Sequence, residues 1–238
     1  MTKINQIKKL AVPAFLAMFA VGCTAAPATI QTGADAEVSF DGLNKVDNSQ
    51  ADLAWARTDF DISQYTKLLV IGSEFEYRKE TNRGRTQMER SRGGPYFIDD
   101  ERRAEFEEFV GEVFREEFSK IENFTFASEP GPDVLVVRGA LLDIITYVPD
   151  TDNIAGNSRF YLSSVGEATL VLELRDSESG SILARSIDRR AAEQISGSMT
   201  QSNRVTNSAE VRRLIRFWAT RLREGLDGFV EQANAPQE

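Results

Sequence analysis

Two residue types that carry much of the nucleophilic and metal chemistry of proteins are nearly missing from this chain. The 238 residues contain no histidine and one cysteine, Cys23. Ser-His-Asp and Cys-His nucleophilic sites are therefore excluded, as are histidine-liganded zinc, copper and non-haem iron sites. Carboxylate chemistry, a lysine- or tyrosine-based mechanism and an oxygen-lined cation site remain. We expect no enzyme, no cofactor and no metal site.

The oxygen-bearing residues whose spacing comes nearest to a cation-binding loop follow Pro149. Asp150, Asp152 and Asn153 resemble the start of a calcium-binding loop, but Ala155 and Tyr161 stand where an EF-hand needs glycine and glutamate. A turn rich in Asx residues is the better interpretation.

Two pairs of glutamates could in principle act as acid and base. They are Glu107-Glu108 and Glu116-Glu117. A catalytic carboxylate needs a partly buried setting that tunes its pKa. We expect both pairs on the polar flank of a helix, away from any cleft, so the sequence gives no catalytic residue.

Arginines are concentrated between Arg78 and Gly94. The candidate contacts for an anion or an acidic partner are Arg78, Arg83, Arg85, Arg90 and Arg92. Guanidinium groups bind phosphate and carboxylate through paired hydrogen bonds. The alternative, which we favour, is a solvated loop whose arginines balance neighbouring glutamates. Its glycines match no phosphate-binding fingerprint.

The start of the chain has the composition of a secretory leader. Three lysines precede an apolar run from Leu10 to Val21 that is too short to span a bilayer. The following cysteine makes Ala20-Val21-Gly22-Cys23 resemble the lipobox of bacterial lipoproteins, which implies removal of residues 1–22 and acylation of Cys23. The alternative is an ordinary signal cut after Ala26. Thr24, in place of aspartate, favours the outer membrane of a Gram-negative bacterium by the same resemblance.

The charge of the chain bears on its partners. The whole chain carries −9, and removal of residues 1–22, which hold three lysines and no acid, lowers this to −12. A strong negative charge disfavours binding to nucleic acid and to anionic lipid. With Cys23 acylated, no thiol remains for a disulfide, so the domain depends on its own core.

Hydrophobic periodicity predicts one α+β domain over residues 39–232. Residues 23–38 read as a lipidated cysteine with a flexible tether, and residues 233–238 as a frayed tail. We expect a mostly antiparallel sheet of about four strands with two amphipathic helices packed on one face. The first helix begins after Asp99, and Ser208 is the expected N-cap of the second. The strand from Val134 to Val148 is apolar on both sides and is therefore expected at the centre of the sheet.

Several short stretches give the chain a family resemblance. They are Phe40-Asp41-Gly42-Leu43, Asp61-Ile62-Ser63-Gln64-Tyr65, the hairpin Asp176–Ala184, Asp188-Arg189-Arg190 and the closing helix with Trp218. The chain thus resembles an uncharacterised family of bacterial lipoproteins, the DUF3313-like proteins. This resemblance implies export and lipidation and supplies no substrate or active residue.

These observations predict a non-enzymatic lipoprotein on the periplasmic face of the outer membrane. We expect it to attach to the membrane through the lipid on Cys23 and to bind another envelope protein. A carrier of envelope lipids with an apolar cavity under the helices is the alternative, and a carboxylate-based hydrolase is a weaker one.

Overall fold

The computed structural model describes residues 26–79, 95–149, 159–193 and 199–233. The elements in chain order are β1 (Thr29–Ile30), β2 (Asn44–Asp47), β3 (Leu53–Ala56), a short 3-10 helix (Ile62–Gln64), β4 (Lys67–Tyr77), α1 (Asp100–Phe118), β5 (Thr125–Phe126), β6 (Val134–Thr146), β7 (Tyr161–Leu162), β8 (Ser164–Asp176), β9 (Ile182–Glu193), β10 (Thr200–Gln201) and α2 (Arg204–Ala233). They form an α+β fold with two helices.

The main sheet differs from the one that the sequence predicts. It has eight strands in the order β1-β2-β3-β9-β8-β6-β4-β5, and β7 and β10 form a separate pair. It is a mixed sheet, because β4 runs parallel to both β5 and β6. The prediction of about four mostly antiparallel strands was therefore wrong. Helix α1 lies between β4 and β6 and brings the chain back to the end of the sheet where β4 starts, so the two strands run parallel. The additional strands are too short to show periodicity.

The N-terminal segment also contributes to the sheet. Strand β1 and Val38 lie within the predicted tether; β1 pairs with β2, and Val38 forms an isolated bridge with Asn44. The side chain of Asn48 donates a hydrogen bond to the carbonyl of Pro27. The described chain is thus attached to the sheet almost from its first residues.

Capping interactions fix where each helix starts. Asp99 accepts a hydrogen bond from the Arg102 amide at 2.8 Å, which confirms it as the N-cap of α1. The prediction for α2 was wrong, because Asn203 and not Ser208 accepts from the Val205 and Thr206 amides, both at 3.0 Å. The helix therefore begins before Ser208, since an asparagine further upstream provides the cap.

Both helices pack their apolar stripes on one face of the sheet. One cluster joins Phe118 and Leu226 to Leu68, Leu135 and Leu174. A second cluster, built around the fully buried Ile215 and Ala219 of α2, continues the core along β6 and β8. As predicted, β6 lies in the interior of the sheet, between β4 and β8.

No helix in the described ranges combines the length and the apolar composition that crossing a bilayer requires.

Candidate functional site

The sheet face opposite the helices carries an ordered array of side chains. Cross-strand neighbours place Leu53, Ile187, Val171 and Ala140 in one row that crosses β3, β9, β8 and β6. Leu53 is 42% exposed, although it is a large aliphatic residue. Side chains alternate between the two faces of a strand, so residues two positions away form the adjacent rows.

The adjacent rows carry charged or polar side chains on β8 and β9, with Trp55 beside Arg185 in one row and Leu142 beside Thr169 in the other. On one side of the aliphatic row lie Arg185, Glu173 and Arg138, which are direct cross-strand neighbours. On the other side lies Arg189, which faces Thr169. We call this aliphatic row and its charged borders the outer face.

A β-bulge at one end of the outer face points an aspartate into it. The register of β6 and β8 shifts between Leu142 and Ile145, and Asp143 within the shift has φ 53°. Aspartate tolerates this left-handed conformation better than most residues, because its short side chain can form local hydrogen bonds. Gly166 lies beside the bulge, where an added Cβ would be 2.2 Å from the Ile145 carbonyl oxygen. The bulge therefore requires glycine at this position.

Asp143 is held between two arginines. Arg78, at the end of β4, forms a bidentate ion pair with it, and Arg189 Nη1 lies 2.6 Å from Asp143 Oδ2. Arg189 also pairs with Glu167. Hydrogen bonding to Arg78 is the main cause that lowers the pKa of Asp143, while Arg189 adds to it and burial opposes it. Two cations and two anions thus balance in this cluster.

A second ion-pair cluster occupies the other end of the outer face. Arg185 joins Asp41 at 2.6 Å to Glu173 at 3.0 Å, and Arg175 lies 2.7 Å from Glu173. Burial tends to raise the pKa of Glu173, but hydrogen bonds from Arg175 and Arg185 lower it on balance. The Arg185 guanidinium also lies 5.6 Å from the centre of the Phe40 ring.

A polar cleft adjoins this second cluster. It encloses about 570 Å³ between the turn that precedes β2 and the segments at residues 57–59 and 181–182. Its lining is charged or hydroxylated at most positions and includes Asp41, Asn44, Arg57, Thr58 and Ser181. Arg57 is engaged with Asp59 at 2.7 Å. The cleft is therefore open and polar, unlike the apolar cavity that a lipid carrier needs.

Most of the candidate site residues that the sequence indicates lie outside the described residues. Cys23, Arg83, Arg85, Arg90 and Arg92 lie outside the described residues, as do Asp150, Asp152 and Asn153. Arg78 is described, and its guanidinium is paired with Asp143.

The glutamate pairs do not all lie where the sequence places them. Glu117 is buried at 4% exposure, not solvated on a polar flank as predicted. It contacts Lys120 at 2.7 Å and Arg223 of α2 at 3.4 Å, because the second helix packs across it. Hydrogen bonding to Lys120 is the main cause that lowers its pKa, so this carboxylate stays ionised at neutral pH. That state suits an ion pair and not a general acid.

The sequence reasoning missed Asp143 and the Asp41–Arg185 contact. Asp143 lies in the middle of a strand, and a two-residue period does not show where a bulge interrupts it. Asp41 and Arg185 are far apart in the chain, so no local pattern connects them. Of the arginines in Asp188-Arg189-Arg190, Arg189 pairs with Glu167 of the neighbouring strand, whereas Arg190 pairs with Asp188 of its own strand.

The charged side chains of the outer face suit binding of another molecule through complementary charge. Throughout the described ranges, no group of three or more carboxylate, thiol or imidazole side chains is placed to hold a metal ion. Asp41, Asp143 and Glu173 are engaged by arginine and have lowered pKa values, so these three carboxylates are poor proton acceptors. An aliphatic strip with a polar border has the composition of a protein interface, whose centre is apolar and whose rim is charged.

Comparison with known proteins gives one match along most of the chain. A family model described as "Protein of unknown function (DUF3313)" matches residues 34–222. No curated protein sequence matches the chain.

Among solved structures, a Helicobacter pylori protein described as a neuraminyllactose-binding hemagglutinin homolog shares 13% identity at a TM-score of 0.40, covering 71% of this chain and 89% of its own. A PelC dodecamer from Paraburkholderia phytofirmans shares 11% identity at a TM-score of 0.32, covering 70% and 96%. A Xanthomonas campestris protein of family DUF330 shares 13% identity at a TM-score of 0.33, covering 74% and 91%. Similarity at this level carries no argument about function.

Proposed function

The chain belongs to the DUF3313 family of proteins of unknown function, and we propose that it is a non-enzymatic lipoprotein that docks another protein of the bacterial envelope onto its outer face. In this proposal, Cys23 is acylated and holds the domain on the periplasmic side of the outer membrane. The support for the anchor is the sequence of the leader, which ends in small residues and a cysteine.

The observation that carries the docking function is the composition of the outer face. Leu53, Val171 and Ile187 form a strip that is partly exposed to water. Covering aliphatic side chains of this kind with a partner is favourable by about 25 cal/mol for each Å² of apolar surface removed from water. Charged or polar residues of β8 and β9 border the strip on both sides. Such borders favour one partner and one orientation more than they add affinity.

The carrier alternative has less support. The space between helices and sheet is filled by side chains, among them Leu135, Leu141, Ile215 and Ala219, each exposed by 1% or less. The described cleft of about 570 Å³ has a polar lining. A polar lining of this kind does not suit an acyl chain.

The anchor is tested by metabolic labelling of intact cells with palmitate. The wild-type chain incorporates label and fractionates with the outer membrane, whereas Cys23→Ser does neither. Loss of label together with retained membrane fractionation contradicts anchoring through Cys23.

The docking function is tested by crosslinking within cells. A photo-crosslinking residue at Ile187 lies in the outer face, and the same residue at Glu105 lies on the exposed side of α1. We expect a discrete crosslinked product from position 187 and none from position 105. Equal products from both positions, or a product from 105 alone, refute docking through the outer face.

A further inference from the structure

The turn that precedes β2 presents an aromatic ring to solvent. Phe40 is 95% exposed, and Val38, two residues earlier, is 57% exposed. Each is a large apolar side chain in a segment that is otherwise tied to the fold. Because the backbone of this turn is held in place, both side chains are already ordered for contact with another surface.

The turn itself is firmly held. The Ser39 amide donates to the Leu43 carbonyl at 2.8 Å, and the Leu43 amide donates to Ser39 Oγ at 2.9 Å. Gly42 has φ 85°, a conformation that glycine adopts without steric cost. Leu43 is buried at 2% exposure, and Asp41 is bound to Arg185. Phe40 therefore projects from a fixed loop, and the centre of its exposed ring lies 5.6 Å from the Arg185 guanidinium carbon.

The position of this turn relative to the anchor limits what can contact it. From Cys23 to Pro27 the chain can extend no more than about 14 Å, because each residue spans at most about 3.3–3.6 Å. Pro27 is bound by Asn48, directly after β2, and β1 is the outermost strand of its edge of the sheet. The edge formed by β1 and β2 is thus the part of the domain that lies next to the lipid.

The Phe40 turn lies at the other end of β2 from Pro27. β2 covers Asn44–Asp47, which is about 13 Å at the rise of a strand. When this edge lies along the membrane surface, the anchor contacts the bilayer at one end of β2 and the turn contacts it at the other. The distance is short enough for both contacts at once.

Charge near the turn does not oppose contact with a bilayer. Glu37 is paired with Lys45 at 2.7 Å, and Asp41 is paired with Arg185. The carboxylates on either side of Val38 and Phe40 are therefore neutralised by bases of the domain. A phospholipid surface accepts aromatic and branched side chains at its headgroup boundary.

We propose that Val38 and Phe40 insert into the lipid interface as a second membrane contact, which orients the domain with its β1–β2 edge on the bilayer. This proposal rests on the lipid anchor at Cys23. The anchor supplies the affinity for the membrane, and the turn decides which side of the domain faces it. The polar cleft and the outer face then take a fixed orientation relative to the membrane.

Spin labelling tests this orientation with the full-length lipidated protein in phosphatidylethanolamine–phosphatidylglycerol vesicles. Acylation consumes the thiol of the native cysteine, so Phe40→Cys supplies one site for a nitroxide. Phe126→Cys is the matched control, because Phe126 is also exposed, at 53%, and lies in β5 at the opposite edge of the sheet. Flotation with the vesicles is measured on the same samples.

We expect the label at position 40 to be at least threefold less accessible to a water-soluble nickel complex than the label at position 126, and more accessible to oxygen. A protein that does not float with the vesicles refutes the anchor and therefore the proposed function. A protein that floats, with equal nickel accessibility at both positions, refutes the turn contact and leaves the anchor intact. Protection of position 40 from both reagents indicates coverage by protein and also refutes the lipid contact.

A second variant guards against an effect of the label itself. With a nitroxide at Val38→Cys and Phe40 retained, we expect protection from nickel, and the added substitution Phe40→Asp should remove it. Unchanged protection in the double variant contradicts a contact made by the aromatic ring.

Discussion

Trp218 Nε1 lies 2.6 Å from Asp188 Oδ2, and this hydrogen bond joins the middle of α2 to β9 inside the core. Both residues are buried, at 2% and 7% exposure. Asp188 also pairs with Arg190, whose guanidinium stacks 4.5 Å from the centre of the Phe217 ring. The contact fixes the position of α2 along the strand, because a buried carboxylate must keep its donors.

Replacing the donor should destabilise the domain. In Trp218→Phe, Asp188 loses one hydrogen bond in a buried setting, and the free energy of unfolding should fall by about 1–3 kcal/mol. Urea unfolding of the purified chain measures the loss. Because the smaller ring also leaves a cavity, a double-mutant cycle with Asp188→Ala measures the coupling between the two side chains. A coupling free energy near zero contradicts this role.

The bulge beside Asp143 should tolerate no side chain at Gly166. In Gly166→Ala, the new Cβ would lie 2.2 Å from a backbone oxygen, so the backbone of β6 must move. We expect a loss of about 1–3 kcal/mol. Gly225→Ala is the matched control, since Gly225 lies in α2 with open space around it and should gain about 0.5–1 kcal/mol. Changes of the same sign in the two variants contradict the prediction.

The ion pairs of Asp143 should contribute to stability in a pH-dependent way. The pKa of Asp143 in the folded protein is lowered from 3.8, chiefly by hydrogen bonding to Arg78. The unfolded chain therefore binds a proton more readily, so the contribution is complete above about pH 4 and disappears as the pH falls through the folded pKa. These side chains are 33–42% exposed, and solvent screens the pairs.

Asp143→Asn isolates that contribution, because asparagine also tolerates the left-handed backbone. We expect it to be about 0.5–1 kcal/mol less stable than the wild type at pH 7. The difference should shrink towards zero in urea unfolding as the pH falls below about 4 and through the lowered pKa of Asp143. A difference that stays constant over this range contradicts the pairing.

Two substitutions in the turn before β2 should differ strongly in their effect on the free energy of unfolding. Leu43→Ala removes a side chain that is 2% exposed and should cost about 2–5 kcal/mol. Phe40→Ala alters a ring that is 95% exposed and should change the free energy of unfolding by less than about 0.5 kcal/mol. Thermal or urea unfolding compares the two variants. A large loss in Phe40→Ala indicates a folding role for the ring and weakens the proposed membrane contact.

The helices and the central strand could be predicted from the sequence because their signals are local. The apolar stripe from Phe106 to Phe118, the cap at Asp99 and the two-sided apolar pattern of β6 each lie within one segment. Side chains three or four positions apart share a helix face, and burial selects for that spacing.

The sheet and the candidate site depended on contacts between distant segments. The strand order, the parallel pairing of β4 and the extra strands β1–β3 follow from which edges meet, and a two-residue strand has no period to detect. Asp143 reaches Arg78 and Arg189 because a bulge turns it outward, and Asp41 reaches Arg185 across 144 positions of chain.

The sequence by itself predicted a leader, and it determined the absence of histidine chemistry, the helices and the long strands, because composition and local periodicity are properties of neighbouring residues. Only the tertiary structure decided which charged residues are paired, that the sheet is mixed and eight-stranded, and that Phe40 stands exposed on a rigid turn. Each of these depends on backbone geometry and burial, which arise when segments far apart in the chain pack together.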